Sequence, residues 1–100
     1  MIIKEKTPLD TAEEFVKIAV DIKREIISME CLMHVDCAQE LVEDGSDWSD
    51  IWGAGIYPKK REIDFLSLIN IRPKIGNRSM EIHLQDIREK VESIIKKLLL

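Results

Sequence analysis

Arg72-Pro73 followed by Gly76-Asn77-Arg78-Ser79 gathers two guanidiniums, an amide, a hydroxyl and a glycine-loosened backbone into a few residues. Guanidinium forks and turn amides match the oxygens of a phosphate or a carboxylate. Arg72, Asn77 and Arg78, with Asn70 and Ser79 beside them, are therefore candidates to hold an anionic small molecule. The plainer alternative is that Asn77 and Ser79 satisfy a turn while both arginines pair with carboxylates. A P-loop is excluded, because no Gly-Lys-Ser/Thr opens a helix.

A second group lies upstream. Cys31, His34 and Cys37, spaced three apart, with His83 at a distance, include donors a zinc site would use. Three close ligands and one remote residue fall short of a paired zinc motif, and the plainer reading is two buried thiols and a surface histidine. No metal and no cofactor are expected. His34 with Asp36 and Asp44 has the composition of an acid-base group, since imidazole titrates near neutrality and a carboxylate can orient it. Cys37 falls where the first turn of a helix would favour its thiolate. No oxyanion-stabilising motif accompanies these residues. Trp48, Trp52 and Tyr57 could stack a base, but aromatics without interleaved basic residues more often belong to a core or an interface.

The elements that must position these residues follow from pattern and punctuation. Ile2 and Ile3 read as a short strand. Asp10 and Glu13 make a capping pair, which predicts a short N-terminal helix over 10–15. Residues 16–22 fit both periods: Val16, Ile18, Val20 and Ile22 alternate as in a strand, whereas Phe15, Ile18, Ala19, Ile22 and Ile26 share a helical face. The β-branched load favours a hairpin, with a reversal near Lys23-Arg24 and a second strand over 25–33. Asp36 as N-cap and Gly45 as terminator bracket a middle helix. Residues 51–57 read as a strand in which Gly53 and Gly55 share a face that something approaches closely. Residues 62–72 carry apolar side chains on both faces, which predicts a long central strand. Leu84, Ile87, Val91, Ile94, Ile95 and Leu98 stripe a C-terminal helix over 85–99. The fold class is α+β, a mostly antiparallel sheet with a short N-terminal, a short middle and a C-terminal helix.

The chain has 100 residues, 45% hydrophobic and 34% charged. This suits one domain over 1–100 and is too apolar for a disordered tail. No run reaches the length of a membrane helix and MIIKEKTPLD lacks a signal-peptide core, so no membrane association and a cytoplasmic location are expected. Cys31 and Cys37 lie six apart in a chain too large to need a disulfide staple, so reduced thiols are expected. The net charge of −4 hides a division: residues 30–50 carry seven acidic side chains and no Lys or Arg, while residues 59–78 carry six basic side chains against two acidic ones. The two blocks either pair inside the fold or form opposite faces that steer a partner. Overall acidity argues against general duplex nucleic-acid binding. The complementary blocks and the apolar tail Leu98-Leu99-Leu100 point to a two-fold homodimer.

Between His34 and Ser79 the succession HVDC, LVEDGS, DIWGAGIYP, INIRP and GNRS resembles an uncharacterised family of small prokaryotic proteins, a domain of unknown function. The matching positions are His34 and Asp36; Asp44, Gly45 and Ser46; Trp52 and Gly53; and Asn70, Arg72, Pro73, Gly76, Asn77, Arg78 and Ser79. Cys31 stands where that family has a glycine and Cys37 where it has an acid. The resemblance supports the hairpin over 16–33 and implies no activity. The residues together point to a binding or assembly module with an anion-binding surface more than to an enzyme. The alternative is a small hydrolase or nuclease using His34 and Asp36 beside the arginine loop.

Overall fold

A computed structural model describes residues 1–100. The strands β1 (Ile2–Ile3), β2 (Val16–Asp21), β3 (Ile26–Met29), β4 (Ile51–Tyr57) and β5 (Glu62–Asp64) form one sheet in the order β1-β3-β2-β4-β5. Every pairing is antiparallel. Helix α1 (His34–Glu43) lies between β3 and β4 in sequence, and α2 (Gln85–Leu98) ends the chain. No helix is long and apolar enough to cross a membrane.

The alternation of β2 decides the layering. Ile18 and Val20 point to one face, where they join Ile27, Trp52, Ala54 and Ile56 beneath Val91, Ile94, Ile95 and Leu98 of α2. Ala19 points to the other, where it joins Ile26 and Ile51 beneath Cys37, Ala38 and Leu41 of α1. Strand alternation therefore wins over the helical reading of 16–22, because each face of the strand has its own helix to cover it. Asp21 turns the hairpin: its Oδ1 accepts from the amides of Lys23 and Arg24 at 2.8 and 2.9 Å. Gly45, at φ 108°, follows the last turn of α1.

Several expectations are corrected. Residues 10–15 form no helix. Thr11 Oγ1 accepts from the amide of Glu13 in a local turn, and Phe15 leaves that segment to cover Gly55. With no apolar stripe to bury, a capping pair alone does not sustain a helix. Asp36 is not the N-cap of α1; that residue is Met33, and the Asp36 carboxylate reaches back to accept from the Met33 amide at 3.2 Å. The strand expected over 62–72 stops at Asp64 and lies at the margin of the sheet. Beyond it Ser67 caps a 3₁₀ turn at Leu68–Asn70, and a second 3₁₀ turn follows at Pro73–Ile75. The apolar residues on its two faces are accounted for by burial of Phe65 and exposure of Leu66 and Leu68, so the strand is not a central one.

The thiols are not reduced: Cys31 and Cys37 form a disulfide. The leucines at the C-terminus are not a free apolar tail either, because Leu98 and Leu99 are buried in the core under the sheet and Leu100 packs against them.

Candidate functional site

The flank built by residues 65–84 holds most of the residues singled out in the sequence. Asn70 is wholly buried. Its Oδ1 accepts from the Gly53 amide at 2.8 Å, and its Nδ2 donates to the carbonyls of Gly53, Met80 and Phe65 at 2.9, 3.1 and 3.3 Å. The side chain continues the ladder of β4 where β5 has ended. Gly53 is needed here, because a Cβ would come within 2.5 Å of Ser67.

Asn77 is equally buried. Its Nδ2 donates to the carbonyls of Asn70, Glu81 and Ser79 at 2.7, 3.0 and 3.2 Å, and its Oδ1 accepts from the His83 amide at 2.7 Å. The backbones of Arg72 and Asn77 also pair with each other across the turn. Ser79 Oγ accepts from the Glu81 amide at 3.0 Å. Both asparagines thus spend their amides on main chain, which buried polar groups require.

Arg72 is used in the same way. Its guanidinium donates to the carbonyls of Ile69, Trp48, Ser49 and Ile51. It lies 4.5 Å from the Trp52 ring centroid and 5.7 Å from that of Trp48. Burial pushes this guanidinium below its ordinary pKa, with Asp50 opposing the shift. The plainer sequence reading foresaw turn satisfaction, but Arg72 is held by carbonyls and not by the acidic block. Of the five anion candidates only Arg78 is an exposed side chain with no hydrogen bond or ion pair. Lys74 beside it is likewise exposed and unpaired.

The three residues proposed as an acid-base group are not assembled. His34 opens α1 and Asp44 follows its end, about 15 Å away at 1.5 Å per residue. Asp44 is held by Arg24 at 2.8 Å and Lys4 at 3.1 Å, and these two cations draw its carboxyl below the usual range. Asp36 is occupied with the Met33 amide. His34 instead places Nε2 at 2.8 Å from the Ala54 carbonyl. Since a carbonyl only accepts, Nε2 carries the proton and Nδ1 keeps its lone pair. Desolvation lowers the pKa of this imidazole, with the Ala54 carbonyl opposing, Lys17 assisting and Asp64 opposing.

Lys17 and Asp64 come close to His34 because they flank Gly55 in one row of the sheet, Lys17 to Gly55 to Asp64. The sequence reading missed both, since only strand register reveals that row. Phe15 covers Gly55 from the same side and meets Tyr57 at 4.9 Å between ring centroids. His34 and Arg72 contact β4 at Ala54 and Ile51, roughly 10 Å apart at 3.3 Å per residue. The hydrolase or nuclease arrangement, with His34 and Asp36 beside the arginine loop, is therefore not formed. The disulfide takes both thiolates from the zinc set, and no three His, Cys, Asp or Glu side chains are grouped to hold a metal ion.

The acidic block does not pair with the basic one. Its ion pairs go to Lys4, Arg24 and the amino group of Met1, which binds Glu40 at 2.8 Å. Glu40 also accepts from Ser28 Oγ at 2.6 Å, and these two bonds lower its pKa. None of Lys59, Lys60, Lys74 and Arg78 meets a carboxylate, and Arg61 donates to the Leu100 oxygen at 3.0 Å.

What remains on the flank is apolar. Leu66, Leu68, Ile71, Ile75 and Met80 are 42 to 68% exposed, although Phe65, Ser67, Asn70 and Asn77 between them are buried. Trp48, also exposed, adjoins them through Arg72. No curated protein and no solved structure matches this chain. The family model described as "Protein of unknown function (DUF5674)" matches residues 3–98, nearly the whole sheet and both helices, and the chain belongs to that family.

Proposed function

We propose that the chain is an assembly module that pairs with a second copy of itself through the Leu66–Met80 flank. The observation that carries this reading is the inverted polarity of the segment. Its amides and hydroxyl point inward while its large aliphatic side chains point to solvent. A loop stabilised only by its own burial would do the opposite. Several large apolar side chains exposed within one short segment are a usual signature of a contact surface. The buried asparagines fix the backbone beforehand, so little ordering remains to oppose association.

Charge selects the occupant. Lys74 and Arg78 on the rim lack carboxylate partners, while Asp47 and Asp50 flank Trp48 on the same side as Arg72. A two-fold contact lets each copy offer both signs. The anionic ligand expected from the sequence then becomes the carboxylates of the second copy, and Arg78 with Lys74 takes the role first given to Arg72 and Asn77.

Sedimentation and light scattering across a wide concentration range test this reading. The wild type is expected to rise from 11.6 kDa to twice that mass, and Leu68→Glu and Ile75→Glu to remain at the lower mass with unchanged melting temperature. A monomer mass at every concentration overturns the proposal, as does dimerisation that both variants retain.

A further inference from the structure

We infer that the Cys31–Cys37 disulfide is a thiol–disulfide exchange site that opens from the Cys31 side, and that opening it loosens the start of α1. Access to the two sulfurs is unequal. Cys31 lines a cleft of about 760 Å³ together with Leu9, Phe15, Lys17 and Leu32. Cys37 is 1% exposed, packed under α1 against Ala19, Ile26 and Leu41. An incoming thiolate therefore meets the Cys31 sulfur.

The co-reactant is a low-molecular-weight thiol or a dithiol. Its thiolate attacks Cys31 Sγ and forms a mixed disulfide, the Cys31–Cys37 bond breaks, and Cys37 Sγ leaves with the electron pair. A proton from solvent then makes the Cys37 thiol. A second thiolate resolves the mixed disulfide at Cys31, so two thiols are oxidised to one disulfide while two protein thiols form.

The bridge holds an otherwise weakly fastened segment. Met33 offers α1 no side-chain cap, and Glu30 adopts φ 65°, a conformation that side-chain-bearing residues disfavour. Leu32 is 88% exposed, so the link between β3 and α1 gains little from burial. Apart from the bridge, the fastenings are the Asp36 contact with the Met33 amide, the His34 contact with Ala54 and the Lys17 ammonium on the Leu32 carbonyl. Once the bridge opens, the first turn of α1 frays and His34 parts from Ala54.

The test treats the folded, oxidised protein with reduced glutathione and, separately, with dithiothreitol, followed by acid quenching and peptide mapping. The expected product with glutathione is a mixed disulfide on Cys31, formed at a rate proportional to thiol concentration. Glutathione disulfide is expected to modify Cys31 in Cys37→Ser at least tenfold faster than Cys37 in Cys31→Ser. Dithiothreitol is expected to reduce the bond without a trapped adduct. In the wild type, amide exchange over residues 34–38 should quicken at least tenfold on reduction while β2 and β4 stay protected. Equal modification of the two sulfurs overturns the inference. So do reduction at a rate independent of thiol concentration, unchanged exchange over 34–38, and thiols that fail to close under glutathione disulfide.

Discussion

The side chain of Asn70 pairs with the backbone of Gly53 as a neighbouring strand would, accepting from its amide at 2.8 Å and donating to its carbonyl at 2.9 Å. One carboxamide thereby supplies the pairing that β5 no longer provides, and ties the apolar flank to the centre of the sheet. Gly53 makes room for it by having no side chain, since Ser67 occupies the space a Cβ would take. The flank is thus as firmly placed as the strand beneath it.

Removing that carboxamide is expected to be costly. Asn70→Ala leaves the amide and carbonyl of Gly53 and the carbonyls of Phe65 and Met80 without this partner, and a buried polar group left unpaired costs about 1 to 3 kcal/mol. Urea denaturation should show a loss of about 3 kcal/mol or more. Asn70→Asp should be worse at neutral pH, because a carboxylate would face three carbonyls. Burial would raise that carboxyl's pKa in the folded protein, so its stability should recover on acidification and fall as pH rises.

Gly55 faces a ring instead of a hydroxyl. A Cβ there would lie 2.2 Å from Phe15 Cζ. Overpacking of this kind costs about 1 to 3 kcal/mol. Gly55→Ala is expected to destabilise the wild type by that amount and to be nearly neutral in a Phe15→Ala background. A double-mutant cycle by thermal denaturation gives the coupling, and additive effects would show that the two positions do not touch.

Arg72→Lys should prove far from conservative. A lysine ammonium cannot satisfy four carbonyls spread around a planar fork, nor lie flat over Trp52. The expected loss is about 2 kcal/mol, with a change in tryptophan fluorescence as the cation leaves the ring faces. Unaltered fluorescence with unaltered stability would count against the stacked geometry.

The His34 imidazole gives a pH dependence of definite sign. Its pKa is lowered from 6.5 by desolvation. Between 6.5 and the lower folded value the unfolded chain holds a proton that the folded chain does not, so stability rises with pH across that window. The contribution is complete above 6.5 and is lost as pH falls toward the folded value. Denaturant midpoints of wild type and His34→Gln, taken between pH 5 and pH 7.5 where the ring titrates, should converge at the acid end and separate toward the neutral end. Parallel curves would place the histidine in water.

Much of the sheet was readable because its strands obey one rule at a time. Ile51 through Tyr57 is bounded as its alternation predicts, while the hairpin expected over 16–22 and 25–33 keeps its place with shorter strands, Val16–Asp21 and Ile26–Met29. Residues 62–72 deceived because Leu66 and Leu68 look like the second face of a buried strand. They are exposed, and the informative residue is Ser67, a capping serine three places before Asn70. The apolar flank was hidden by the assumption that apolar means inside. The turn satisfied by Asn77 and Ser79 is legible as the plainer alternative, whereas the carbonyls around Arg72 and the strand-like pairing of Asn70 are not, because a side chain that binds an external anion and one that binds its own carbonyls have the same composition. A chain of this size needs no disulfide, so size alone argues against the bridge. Six residues of separation allow the bridge only if the chain reverses between the end of β3 and the first turn of α1, a geometry no local pattern announces.

The margins of the sheet carry one more consequence. β1 contributes two residues at one side and β5 three at the other, and beyond Asp64 the side of β4 is capped by the carboxamide of Asn70. A strand from another molecule finds almost no open row of amides and carbonyls to extend. Such short margins are a poor template for strand addition. A pairing through the five exposed large aliphatic residues, as proposed above, would join side chains and not extend the sheet.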